Sequence, residues 1–64
     1  MSRRQAEFLR LRDLLDHLRV CEKQLEWSED PHALLYLTDT MLRDVETCRK
    51  VCQALRNYAA ADCP

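Results

Sequence analysis

Apolar residues recur along this chain at alternating steps of three and four, the pattern of helices that bury one face. In the first half the stripe runs Phe8, Leu11, Leu14, Leu15, Leu18, Cys21 and Leu25, with Leu9 and Val20 off it. In the second half it runs Leu34, Thr38, Met41, Val45, Cys48, Cys52, Leu55 and Ala59. Leu35, Leu37, Leu42, Val51 and Tyr58 widen that second stripe on either side. Between the two lies Ser28-Glu29-Asp30-Pro31. Proline inside a helix removes a hydrogen bond and clashes with the preceding turn, yet it suits the first helical position. Asp30 before it is a good N-cap. The pattern predicts an all-α antiparallel helical hairpin: a helix over about 2–27, a turn at 28–30 and a helix over about 31–60, in a single domain covering 1–64.

Local signals agree. Ser2 and Gln5 have the spacing of a capping box. Asp39–Arg43 and Glu46–Lys50 are i,i+4 pairs in the favourable acid-first order. The tail from Ala59 to Pro64 has no capping residue and is expected to fray.

Composition sharpens this picture. The 64 residues contain no glycine, which excludes the P-loop and the dinucleotide-binding fingerprint and disfavours hairpin-rich β folds. The apolar fraction of 47% rests on eleven Leu and six Ala, both strong helix formers, and suits a folded chain. The longest strictly apolar run, Ala33 to Leu37, is far short of a membrane span. No secretory signal follows the N-terminus, so a cytoplasmic location and reduced cysteines are expected.

A two-helix hairpin of this size has little core, and small scaffolds usually need a disulfide, a metal or a second copy. Leu9, Leu35, Leu42 and Val51 are expected to be left exposed in a monomer. The economical solution is a homodimer that forms a four-helix bundle with coiled-coil-like packing. Its interface is assigned to Phe8, Leu9, Leu11, Leu15, Leu18, Leu35, Leu42, Val45, Val51 and Leu55.

Charge is nearly balanced, at -1 overall, but unevenly placed. The open end of the hairpin collects Arg3, Arg4, Arg10, Arg12, Arg49, Lys50 and Arg56 against Glu7, Asp13 and Glu46. The turn end collects Glu22, Glu26, Glu29, Asp30 and Asp39 against Lys23. Two such dipoles prefer to lie head to tail.

His17 and Cys21 are i,i+4 on one helix, as are Cys48 and Cys52 on the other, and all four are soft ligands of the zinc-binding kind. With the turn centred near residue 29, Cys48 falls about 16 Å along the axis from Cys21, so only a head-to-tail dimer brings the two pairs together. The competing reading is simple packing, since free cysteine behaves as a small hydrophobe. No cofactor is expected. Cys63 is the expected exposed thiol, and both His17 and His32 are expected at the surface. Trp27 at the turn either folds over the bundle end or stands out as an anchor for a partner.

No arrangement suits nucleophilic or acid–base catalysis, and the chain has no room for a walled pocket. The expected function is a small non-enzymatic interaction module, a homodimer that binds or scaffolds another protein. One alternative is nucleic-acid binding through Arg3, Arg4, Arg10, Arg12, Arg49, Lys50 and Arg56. In length and hairpin architecture the chain is similar to the Rop-type plasmid copy-control proteins, which are RNA-binding four-helix dimers. The likeness is architectural and carries no functional residue across. A second alternative is a metal- or redox-responsive dimer acting through the cysteines.

Overall fold

In the computed structural model the structure describes residues 2–62, which form two helices: α1, Arg3–Trp27, and α2, Pro31–Asp62. They pack on each other as a hairpin. Both ends of α1 and the start of α2 are explained by their residues. Ser2 caps α1 with a full capping box, its Oγ accepting from the Gln5 amide at 3.1 Å while the Gln5 side chain accepts from the Ser2 amide at 3.0 Å. At the other end Ser28 leaves the helix in extended backbone (φ -92°, ψ 130°), its amide donating to the Leu25 carbonyl. No residue of the turn needs a positive φ, which is how a chain without glycine reverses direction. Asp30 then opens α2. Its carboxylate accepts from the His32 amide at 3.2 Å and its carbonyl from the Leu34 amide at 3.0 Å. Helix α2 continues to Asp62, two residues beyond the expected boundary; Cys63 lies outside the described residues.

The molecule is a rod of 51 × 18 × 13 Å with a radius of gyration of 15.0 Å. A compact chain of this length would have about 11 Å. The core is therefore one seam. On α1 it runs Glu7, Leu11, Leu14, Leu18, Cys21 and Leu25; on α2 it runs Leu34, Leu37, Met41, Asp44, Cys48, Val51, Leu55 and Tyr58. Cys21, Leu37 and Val51 are the buried hydrophobic residues among those described.

This seam is rotated from the expected stripes. Leu34, Met41, Cys48 and Leu55 hold their places, but Leu37, Asp44, Val51 and Tyr58 replace Thr38, Val45, Cys52 and Ala59. Val51, expected at the dimer interface, is only 2% exposed within the single chain. Phe8 and Leu15 leave the α1 seam and stand largely in water. The rotation follows from α2 having apolar residues on both sides of its shared positions. The side that buries Leu37 and Val51 wins, and Thr38 turns outward to donate its hydroxyl to the Leu34 carbonyl at 2.7 Å.

Two further expectations are corrected. Glu46 pairs with Arg49 rather than Lys50, a forked contact with Nη2–Oε1 at 2.9 Å. That guanidinium, by hydrogen bond and by charge, holds the Glu46 carboxyl below its ordinary range. Trp27 does not fold over the bundle end; it is 84% exposed.

Candidate metal centre

The register between the helices is fixed by His17 of α1 and Asp44 of α2, whose Nδ1 and Oδ2 are hydrogen-bonded. Grooves along the hairpin agree with that register: one is lined by Glu7, Arg10, Val51 and Ala54, another by Arg3 and Tyr58. Cys21 therefore stands level with about Thr40, some three residues from the position expected with the turn centred at residue 29.

Around this bond a donor cluster assembles. His17 and Cys21 share one face of α1 through their i,i+4 spacing, with Nε2 at 3.9 Å from Sγ. Asp44 meets them from α2. One ligand atom from each of the three residues lies within 4.8 Å of the others. Burial grades across the site: Cys21 is 4% exposed, the Asp44 side chain 16% and the His17 side chain 51%. The cluster thus has a dry sulfur at its floor and an imidazole at its open edge.

Sequence reasoning found two of these residues and missed the third. His17 is at the surface as expected, but engaged across the seam. Asp44 is the carboxylate at a seam position of α2, between Met41 and Cys48, and a charge inside an apolar stripe is the signal that marks it. The partners assigned instead, Cys48 and Cys52, lie further along α2 and do not join the cluster. Cys48 is half-buried and Cys52 exposed. Burial, aided by Cys52 and Asp44, pushes the Cys48 thiol above its ordinary range, so it is a poorer ligand than its spacing suggests.

The two sides of the hairpin differ. With about 100° of turn per residue, His17 and Asp44 fall on one side of the seam, together with the groove that holds Arg10 and Lys50. On the other side Phe8 and Leu15 of α1 stand beside Cys52 and Val45 of α2, with Leu42 and Leu35 further round. Phe8, Leu15 and Val45 of that second face, and Leu42 and Leu35 on the adjoining outer side of α2, are each more than half exposed.

The candidate phosphate contacts Arg3, Arg4, Arg10, Arg12, Arg49, Lys50 and Arg56 are all exposed, and they are spread over more than one groove. Arg10 and Lys50 line one groove beside Glu7, Arg3 lines another, and Arg49 is held by Glu46. Among the described residues no helix is long and apolar enough to cross a membrane. Comparison with family models, with curated proteins and with solved structures found no match to this chain, so its function is read from its own geometry.

Proposed function

We propose that this chain is a non-enzymatic helical-hairpin interaction module that pairs with a second copy of itself through the Phe8–Leu15–Val45–Leu42–Leu35 face. The observation that carries this reading is that both helices expose large apolar side chains, Phe8 and Leu15 on α1 and Val45, Leu42 and Leu35 on α2, with Leu15 and Val45 at about one height in the His17–Asp44 register. Isolated exposed leucines are ordinary; a shared stripe is an interface signal.

Area supports it. The chain exposes 5441 Å², whereas a compact monomer of 7.6 kDa exposes about 4,300 Å². The excess, about 1,100 Å², is comparable to the roughly 800 Å² each partner gives up in a stable interface.

Charge selects the occupant. The face has Arg4 and Arg56 at its open end and Glu22 and Glu26 toward its turn end, so a second copy laid antiparallel on it sets basic groups against acidic ones. A two-fold axis in the interface, across the rod near Leu15 and Val45, achieves this and yields a four-helix bundle. Trp27, outside the face at the turn, is the anchor offered to a further protein.

Native mass spectrometry or sedimentation tests the reading. The expected species has twice the chain mass of 7.6 kDa, and Leu15→Glu or Val45→Glu returns it to a monomer. A wild-type chain that stays monomeric at all accessible concentrations overturns it.

A further inference from the structure

We propose that His17, Cys21 and Asp44 form a divalent-metal site of the zinc type that staples α1 to α2 within one chain. The observation behind it is a thiol, an imidazole and a carboxylate brought within 4.8 Å of one another from two helices. The inference does not rest on the pairing of two copies, because the cluster lies on the side of the hairpin opposite the apolar face.

The donor set fits the ion. Zinc takes thiolate at about 2.3 Å and nitrogen or oxygen at about 2.0–2.2 Å, so tetrahedral ligand atoms stand about 3.3–3.8 Å apart. Closing the cluster draws together ligand atoms that already lie within 4.8 Å of one another, the ion taking the place of the His17–Asp44 hydrogen bond. Mixed sulfur, nitrogen and oxygen donors suit zinc better than calcium or magnesium, which prefer oxygen alone. The i,i+4 spacing of His17 and Cys21 presents both ligands on one face of α1, as paired helical ligands require.

Burial orders the roles. Cys21 Sγ, at the floor, gives up its thiol proton to solvent as the ion binds. One Asp44 carboxylate oxygen closes the site from α2, and one ring nitrogen of His17 closes it from the solvent edge. Three protein ligands leave a fourth position, and the exposed half of His17 opens that position to water.

A reason for such a site is also present. A seam with three buried hydrophobic side chains among the described residues is a weak core. A metal bridging the middle of both helices adds its binding free energy to folding, as small metallo-domains do.

The test uses the full chain with Zn²⁺ or Co²⁺ alone. One Co²⁺ per chain is expected to give a thiolate-to-cobalt charge-transfer band in the near ultraviolet, and Zn²⁺ to displace it and raise the melting temperature. The variant Cys48→Ser/Cys52→Ser/Cys63→Ser keeps Cys21 as its single thiol and must retain the band; losing it overturns the site. Cys21→Ala must abolish the band. Because Cys21 is buried, His17→Gln is the decisive variant: it leaves helicity by circular dichroism unchanged and weakens Co²⁺ binding at least tenfold. Wild-type affinity in His17→Gln, or the absence of any band in the wild type, overturns the proposal.

Discussion

His17 on α1 and Asp44 on α2, 27 positions apart, are joined by a side-chain hydrogen bond across the seam, with Asp44 at a position its neighbours fill with Met41, Cys48 and Val51. A seam of leucines alone can slide by a turn with little penalty; one polar pair that matches at a single register cannot.

Replacing Asp44 separates specification from stability. Asp44→Leu fills the seam and leaves His17, already half in water, without a stranded charge. The expected result in urea denaturation is a gain of about 1 kcal/mol, because an apolar side chain replaces a largely desolvated carboxylate in the seam while His17 can turn to water. A loss of that size would make the pair a net stabiliser instead.

Leu37 carries an outsized share of a small core. Leu37→Ala is expected to cost about 2–4 kcal/mol. The measurement is the midpoint of thermal unfolding followed by circular dichroism. A change below about 1 kcal/mol would show that the seam can collapse around the gap.

The caps of the two helices are independent and testable. Asp30→Ala removes the acceptor of the His32 amide, and Ser2→Ala removes half of the capping box. Each is expected to cost about 1 kcal/mol, and the double variant the sum, because the two sites share no partner. Unequal additivity in denaturation would reveal coupling along the rod.

Surface variants discriminate the two sides of α1. Leu15→Glu sits on the proposed dimer face and is expected to weaken self-association at least tenfold. Val20→Glu, equally exposed but off that face, is expected to change stability by less than about 0.5 kcal/mol and association not at all. Equal effects in sedimentation would move the interface elsewhere.

The two helices, their caps and the break at Asp30-Pro31 were legible in the sequence because each depends on a few neighbouring residues. Which face of α2 turns inward was not. Leu37 and Val51 on one side compete with Val45 and Cys52 on the other, and periodicity alone scores both nearly alike. The donor cluster was half legible for the same reason. His17 and Cys21 share a helix turn, whereas Asp44 joins them only once the register is known.

Trp27 holds one more consequence. It is the only tryptophan in the chain and stands 84% in water at the turn. Its fluorescence in the native hairpin is expected to be that of a solvated indole, so unfolding should scarcely alter the emission. A partner that buries the indole against an apolar surface is expected to shift that emission toward the blue. The chain has a built-in optical reporter that is deaf to its own folding and sensitive to company.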